Sequence, residues 1–210
     1  MISERSNFLF IHIPKSGGNS IQNVLRNYSE DEILRSAPHH DGVERFEVGN
    51  RKYGTRKHST LADYRNVLPS DVYDRLFKFA VLRNPWERMV SWYFSPGRGV
   101  ANWDRNAFKK LILETPTAVS YINSSNLPSE ASAHEPVYKA HNVDRLIDFS
   151  DLQTGFFEVC DCVGIPRSKL PVRNRSCRKH YTHYYDSELV EIVGKRFQQD
   201  IRLGRFKFGE

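Results

Sequence analysis

Lys15, Ser16 and Ser20 stand around two adjacent glycines, Gly17 and Gly18. Adjacent glycines let the backbone turn tightly and bring its N–H groups close to a ligand. A cation, hydroxyls and amides at the start of a helix bind anions, most often phosphate. The commonest phosphate loop, G-x-x-x-x-G-K-[ST], is absent because here the lysine precedes the glycines. The stretch therefore predicts a phosphate-binding loop of another pattern.

The elements on either side of this loop are predicted to be a strand and a helix. Residues 8–13 are mostly large and apolar, with the β-branched and aromatic types that suit a buried strand. Pro14 ends this strand because it has no N–H to donate. Gly18 or Asn19 is the predicted cap of a helix with apolar residues at helical spacing, at Ile21, Val24 and Leu25. The alternative is that the glycines serve only to make the turn.

A second apolar run, at residues 77–82, is followed directly by Arg83. Asn84 and Pro85 suit the cap and first turn of the helix that comes next. Strands that alternate with helices indicate a parallel sheet covered on both faces. Ligands of such sheets bind beyond the carboxyl ends of the strands, where both Lys15 and Arg83 lie.

The remaining periodic segments extend this alternation. In chain order they predict helices at 61–68 and 70–76, a helix from 85 to about 96, a strand at 145–149, a helix at 152–163 and a last helix over 187–201. Two stretches are less regular: 27–57 is predicted as a long loop or a hairpin, and 94–137 contains one helix near 107–113. A long irregular segment such as 94–137 often faces a substrate.

Composition indicates a single globular domain over 1–210. The chain has 210 residues, of which 39% are hydrophobic and 27% charged, and this length can bury a sizeable core. The formal net charge is +6, which favours an anionic ligand or substrate.

The cysteines and the hydropathy pattern lead us to expect a cytoplasmic protein. No apolar run approaches the roughly 18 residues of a membrane span, and the polar start resembles no signal peptide. The cysteines are odd in number, and Cys160 and Cys162 lie in a predicted helix where their side chains diverge. A zinc site or redox pair is therefore not expected.

Two motifs together resemble those of the sulfotransferases that use 3′-phosphoadenosine 5′-phosphosulfate (PAPS). The first, PKSGGNS, spans residues 14–20, and the second, VLRNPWERMVS, spans residues 81–91. The similarity is greatest to the carbohydrate branch, which includes heparan and chondroitin sulfotransferases and bacterial relatives. Stretches 143–152 and 184–208 are also similar to the family's late strand and C-terminal helix, whereas the middle of the chain is unmatched.

The resemblance implies an α/β fold with a mostly parallel central sheet flanked by helices, akin to P-loop nucleotide kinases. It also implies that Lys15 contacts the bridging oxygen and sulfonate of PAPS. The backbone around the 5′-phosphate would belong to Ser16, Gly17, Gly18, Asn19 and Ser20. Relatives usually carry threonine where Asn19 stands. The contact that a threonine hydroxyl would make to the phosphate would here have to come from the Asn19 amide or from Ser20.

At the second corner, Arg83 and Ser91 match the positions that hold the 3′-phosphate in this family. A guanidinium fork suits phosphate because it can bind it bidentately. Arg88, three residues before Ser91, is predicted to be its neighbour. Arg178 and Lys179 lie where relatives close a loop over the nucleotide and are further candidates for this phosphate, with a solvated basic loop as the alternative. PAPS is the implied donor and no metal is expected.

Transfer to an acceptor hydroxyl also needs a base near neutral pH, for which histidine is suited. The family does not fix this residue, since some members use glutamate and others histidine. His58 is the first choice, because it precedes a predicted helix cap where some relatives place a histidine; the alternative is a surface or capping histidine. His12 is expected to pack in the core, and the reserve candidates for the base are His134, Glu135 and His141.

The acceptor is expected to be an acidic saccharide or glycolipid, with a lipid, a peptide tyrosine or a small metabolite as the alternatives, and nucleic acid is not an expected partner. Two other interpretations remain open at this stage. One is a phosphotransferase of the P-loop kinase type, which would need Mg²⁺ and a side chain to hold it. The other is a basic module that binds polyanions without catalysis, with affinity that depends steeply on salt.

Overall fold

The computed structural model describes residues 1–37, 45–95, 100, 102–123, 143–171 and 178–210. Its strands are β1 (Ile2–Ser3), β2 (Phe8–Ile11), β3 (Glu32–Ala37), β4 (Arg45–Asn50), β5 (Thr55–Arg56), β6 (Phe77–Leu82) and β7 (Arg145–Asp148). Its helices are α1 (Gly18–Leu25), α2 (Leu61–Val67), α3 (Ser70–Arg75), α4 (Pro85–Tyr93), α5 (Arg105–Glu114), α6 (Val119–Ile122), α7 (Leu152–Val163), α8 (Ser187–Arg196) and α9 (Gln198–Gly204). Short 3₁₀ turns lie at Phe149–Asp151 and Tyr181–Tyr184.

The central sheet has the strand order β1-β2-β6-β7. β2, β6 and β7 run parallel to one another, whereas β1 pairs antiparallel with β2. The mixed α/β fold with a mostly parallel sheet is thus confirmed. Because the three parallel strands end on the same side, the segments after Ile11, Leu82 and Asp148 meet at one edge.

Alternating side chains of the parallel strands pack against helices on both faces of the sheet. Leu9 and Leu82 belong to a buried cluster with residues of α2 and α3. Phe10 and Val81 belong to a second cluster with residues of α1 and α7. This alternation follows from the pleat, which turns successive residues of a strand to opposite faces. A third apolar cluster joins α4, α5 and α8.

A small antiparallel sheet lies within the polar stretch 27–57, which the sequence predicts to be a long loop or a hairpin. It has the order β3-β4-β5, and the register between β3 and β4 shifts between Ile33 and Arg35. Its buried apolar side chains Phe46 and Val48 join the cluster of α1 and α7, which attaches this sheet to the core.

Several predicted boundaries were wrong in detail. The cap of α1 is Gly17 rather than Gly18 or Asn19, because Gly17 adopts φ +79 and starts the turn one residue earlier. The last predicted helix is two helices, α8 and α9, which meet at Phe197. One helix was predicted in the stretch 94–137, but the part of it that the structure describes has two, α5 and α6. Residues 124–137 lie outside the described part. Among the described residues, no helix is long and apolar enough to cross a membrane.

Candidate active site

A cavity of about 270 Å³ lies at the carboxyl edge of the central sheet. Three cationic residues line it: Lys15 after β2, Arg83 after β6, and Arg178 from the segment before the second 3₁₀ turn. No aspartate or glutamate is among the described residues that line it. Part of its wall is apolar, with contributions from Phe149, Leu152, Leu170 and Pro171. We call this space the donor cavity.

The loop between β2 and α1 is held in a conformation that needs its glycines. Lys15 has φ +67 and Gly17 has φ +79, so the chain reverses through two left-handed residues. A Cβ at Gly18 would lie 2.2 Å from Cδ2 of His12, so the His12 ring packs directly against the Gly18 backbone. The first amides of α1 have no carbonyl partner within the helix, and Gly18 and Asn19 line the donor cavity.

The three polar side chains of the loop have different surroundings. Asn19 lines the donor cavity. The Ser20 hydroxyl donates to the carbonyl of Pro171 (3.1 Å), and its N–H donates to the carbonyl of Gly17 (3.0 Å). Ser16 is buried, and its hydroxyl has no hydrogen-bond partner among the described residues.

Arg83 is held in the donor cavity by hydrogen bonds to three residues. Its Nε and Nη2 donate to the two carboxylate oxygens of Glu87 at 3.0 and 2.7 Å. Its Nη1 donates to the carbonyl of Lys15 (2.9 Å) and to the Ser91 hydroxyl (3.3 Å). The guanidinium also lies over the ring of Phe149, 4.0 Å from its centroid. Arg83 thereby connects the two predicted phosphate corners directly.

Of the other predicted contacts of the 3′-phosphate, two line the donor cavity and one does not. Ser91 and Arg178 both line the donor cavity. Arg178 Nη2 lies 3.9 Å from Oε1 of Glu87, and burial followed by the nearby Arg83 charge lowers its pKa. Lys179 is exposed and is not among the described lining residues.

Arg88 supports the loop from beneath, a role that the sequence did not predict. It is fully buried, and its Nε donates to the carbonyl of Pro14 (3.0 Å), while both Nη atoms donate to the carbonyl of Pro116 (3.2 Å). Asp200 lies 3.9 Å away and accepts from the amides of Ala118 and Val119. Burial lowers the pKa of Arg88 to about 10, and Asp200 partly offsets this effect.

His12 and His58 form a pair beside the loop. The His58 Nδ1 lies 2.8 Å from the carbonyl oxygen of His12, and the ring centroids are 4.8 Å apart. Because a carbonyl only accepts, Nδ1 of His58 must carry a proton and donate. The neutral ring then has its lone pair on Nε2. His12 lines the donor cavity and is only 4% exposed, and its Nδ1 has no partner among the described residues.

Both histidines favour the neutral form. Burial lowers the pKa of His12 well below its usual value, and the neighbouring His58, Lys57 and Lys15 charges act in the same direction. Burial also lowers the pKa of His58, although the bond to the His12 carbonyl opposes this effect. The His58 side chain is nevertheless exposed, so neighbouring atoms crowd one side of the ring while the other side faces solvent.

A comparison with protein families identifies the family of the chain. A model described as the sulfotransferase family matches residues 1–208. The chain belongs to the sulfotransferase family. No curated protein and no solved structure matched the chain. Sulfonate transfer is therefore the general activity that this family membership supports.

The predicted site residues of this sulfotransferase mostly meet at one place. Those that line the donor cavity are Lys15, Gly17, Gly18, Asn19, Ser20, Arg83, Ser91 and Arg178. Ser16 and His58 lie beside it, and their roles remain predictions. The reserve bases His134, Glu135 and His141 lie outside the described residues. Within the described part of the chain, no group of three or more His, Cys, Asp or Glu side chains could hold a metal ion.

Sequence reasoning missed Glu87 and, although it predicted Arg88 as a neighbour of Ser91, missed the contact of Arg88 with the loop. Both lie in the second motif, and Arg88 stands beside positions Met89 and Val90, which are fully buried in α4. A charged residue at the buried edge of a helix is a signal that it has a partner. The sequence could not show that this partner is the Pro14 carbonyl, 74 residues away.

Proposed function

We propose that this sulfotransferase transfers a sulfonate group from PAPS to a hydroxyl or amine of a carbohydrate acceptor. The observation that carries the proposal is the composition of the donor cavity. Lys15, Arg83 and Arg178 converge on a space whose described lining has no carboxylate and has one apolar wall. Such a lining suits a polyanion that carries a flat apolar group, which describes an adenine nucleotide with several phosphates.

The residues present fit this donor. Lys15 and the first amides of α1 would hold the phosphosulfate end, because both offer positive charge at the same loop. Arg83, Ser91 and Arg178 would hold the 3′-phosphate, and Phe149 and Leu152 would contact apolar parts of the nucleotide. The buried Ser16 hydroxyl, which lacks a partner among the described residues, would be satisfied by a slight rearrangement of the loop on binding.

The chain's contribution to the reaction would be charge and position. When bound, PAPS supplies the activated sulfonate. Lys15 and the amides of α1 stabilise negative charge that grows on the leaving phosphate, as preorganised donors do in other transfer reactions. Arg88 holds the carbonyl of Pro14 at 3.0 Å and so keeps this loop in place.

His58 is the proposed base. Its Nδ1–H donates to the His12 carbonyl at 2.8 Å, which leaves Nε2 to take the proton of the acceptor. Its lowered pKa keeps Nε2 unprotonated at neutral pH. A base in this state is ready to accept a proton before transfer begins.

The acceptor is inferred from the net charge of the chain. A formal net charge of +6 supports an acidic saccharide or glycolipid, because opposite charge raises the rate of encounter. The proposal also keeps the cytoplasmic location and the single domain over 1–210 that the sequence predicts.

Ligand-induced stabilisation tests the donor. We expect adenosine 3′,5′-bisphosphate, the product of PAPS, to raise the melting temperature without metal, and ATP with Mg²⁺ to raise it far less. Transfer of radiolabelled sulfonate from PAPS to a panel of acidic oligosaccharides then tests the reaction. Stabilisation by ATP only with Mg²⁺ would instead indicate a phosphotransferase. Salt-sensitive glycan binding without nucleotide binding would indicate a polyanion-binding module.

A further inference from the structure

Arg83 lies between the donor cavity and a second cavity of about 450 Å³. Arg83 and Phe149 contribute to the lining of both, whereas Glu87 lines only the second. The second cavity also contains the carboxylates of Asp148 and Glu210. One side of the Arg83 guanidinium therefore faces a space without acidic side chains among its described lining, and the other side faces a space with three.

The hydrogen bonds of Arg83 are divided in the same way. Glu87 accepts from Nε and Nη2 at 3.0 and 2.7 Å. Nη1 instead donates to the Lys15 carbonyl and the Ser91 hydroxyl, and both residues line the donor cavity. A carboxylate that binds one edge of a guanidinium bidentately fixes the direction of the opposite edge. Glu87 therefore turns the Nη1 edge of Arg83 toward the donor cavity.

Glu87 also reaches the second arginine of the site. Its Oε1 lies 3.9 Å from Nη2 of Arg178 and 2.7 Å from Nη2 of Arg83. Two guanidinium groups this close repel each other, and a carboxylate between them offsets the repulsion. Burial acts to raise the pKa of Glu87, but the hydrogen bond and charge of Arg83 outweigh it, so the pKa is lowered and the carboxylate stays ionised.

We propose that Glu87 is the positioning residue that gives the donor cavity its preference for an adenine nucleotide with a 3′-phosphate. The inference rests on the proposed function, in which Arg83 and Arg178 hold that phosphate. Without Glu87, Arg83 has room in the second cavity, where Asp148 offers another carboxylate; the Glu210 carboxylate in the same lining already accepts from Lys207 at 3.0 Å. The guanidinium would then leave the donor cavity, and the 3′-phosphate would lose its main contact.

Calorimetric titration with two nucleotides tests this role. Adenosine 3′,5′-bisphosphate carries the 3′-phosphate and adenosine 5′-phosphate lacks it. We expect Glu87→Ala to weaken binding of the bisphosphate about 10- to 100-fold, the loss typical of a disrupted charge-assisted hydrogen bond. Binding of the monophosphate should change by less than about 2-fold, because that nucleotide does not use Arg83. Glu87→Gln keeps one acceptor oxygen, so its affinity for the bisphosphate should lie between those of the wild-type protein and Glu87→Ala.

The control is Glu191→Ala, which removes an exposed carboxylate that also pairs with a residue four positions away, Lys195. It should leave both affinities unchanged. In an Arg83→Ala background, Glu87→Ala should weaken bisphosphate binding much less than it does in the wild-type protein, because Glu87 acts chiefly through Arg83.

Three outcomes would overturn the inference. They are equal weakening of both nucleotides, unchanged or tighter bisphosphate binding, and an undiminished effect of Glu87→Ala without Arg83. Each of these leaves the proposed function intact if the wild-type protein prefers the bisphosphate. A wild-type protein that binds both nucleotides equally would instead contradict the proposed function and this inference with it.

Discussion

At the scale of single residues, the donor cavity depends on its cationic side chains. Lys15 contributes positive charge from a left-handed position, φ +67, at the start of the loop. Arg83 is only 8% exposed and has its donors on Glu87, Lys15 and Ser91. Arg83 thus contacts both predicted phosphate corners, while Lys15 stands at the loop where the sulfonate end of the donor is predicted to bind. We expect them to differ in function, with Arg83 governing affinity and Lys15 governing rate.

Lys15→Ala tests the role of the lysine. We expect kcat for sulfonate transfer to fall about 10²- to 10³-fold, or about 3–4 kcal/mol, as when other preorganised groups that stabilise transition-state charge are removed. Alanine resembles lysine in its backbone preference, so the strain at this position is unchanged. Steady-state kinetics with PAPS measure kcat and KM separately. Lys110→Ala, which removes an exposed lysine from α5, is the control, and a kcat near the wild-type value would contradict this role.

His58→Ala tests the proposed base. We expect turnover to be lost while affinity for adenosine 3′,5′-bisphosphate stays near the wild-type value, because the ring lies outside the donor cavity lining. In the wild-type protein, kcat/KM should rise with pH and level off, with the acid limb below pH 6.5 because the pKa of His58 is lowered.

Residual activity of the His58 variant gives the second readout. If the variant retains measurable transfer, its rate should no longer show that acid limb. Near-normal turnover of His58→Ala, or an unchanged acid limb, would remove His58 from the role of base.

At the scale of elements, the strand–loop–helix unit from β2 to α1 depends on one close contact. The His12 ring occupies the place that a side chain at Gly18 would need, with Cδ2 at 2.2 Å and Nε2 at 2.3 Å from the ideal Cβ. The same histidine offers its carbonyl to His58. The position of the loop and the position of His58, the proposed base, are therefore set by the same residue.

Gly18→Ala tests this contact. We expect a loss of about 1–3 kcal/mol in the free energy of unfolding, because a methyl group forced into a packed site must displace its neighbours. Donor affinity should fall as well, since the loop has to move. Adding His12→Ala makes room, so the double variant should lose less stability than the sum of the single variants. Denaturant unfolding measures all of them.

The control for this test is Gly194→Ala in α8. A Cβ there would meet its nearest neighbour, Trp86, at 3.9 Å, which is ordinary contact. It should not destabilise the protein, because alanine favours the helix. Strict additivity of the His12 and Gly18 substitutions would contradict a direct contact between them.

Elements that depend on local sequence were the ones that could be predicted. The apolar runs of β2 and β6, the Asn84 cap of α4 and the bounds of α7 at 152–163 are confirmed. The sequence did not distinguish a loop from a hairpin where the antiparallel sheet lies, because polar residues dominate that stretch. The sheet is stabilised by Phe46 and Val48, which pack on helices distant in the chain. The break at Phe197 was missed because the apolar stripe continues through it.

The same distinction applies to the candidate site. Lys15 and Arg83 could be predicted because motifs place them at the carboxyl ends of strands, and Ser91 could be predicted because it matches a position of the sulfotransferase motif. The Glu87 contact to Arg178 and the Arg88 contact to Pro14 join segments far apart in the chain. Such pairs arise from the packing of the whole fold, and no local pattern encodes them.

At the scale of the whole molecule, the buried His12 and its neighbour His58 make stability depend on pH. The pKa of His12 is lowered well below 6.5 in the folded protein, chiefly by burial, and that of His58 is lowered as well. Below pH 6.5 the unfolded chain therefore binds protons that the folded protein excludes. Stability should fall as pH decreases from 7.5 toward the lowered pKa values.

His12→Phe tests this dependence, because phenylalanine can keep the stacking on Phe10 but cannot be protonated. We expect the variant to lose less stability than the wild-type protein between pH 7.5 and pH 5.5, measured by denaturant unfolding at each pH. His183→Phe, which replaces an exposed histidine, should behave like the wild-type protein. An equal loss in the His12 variant and the wild-type protein would show that His12 does not exclude a proton on folding. The acid sensitivity of the molecule would then have to come from other groups.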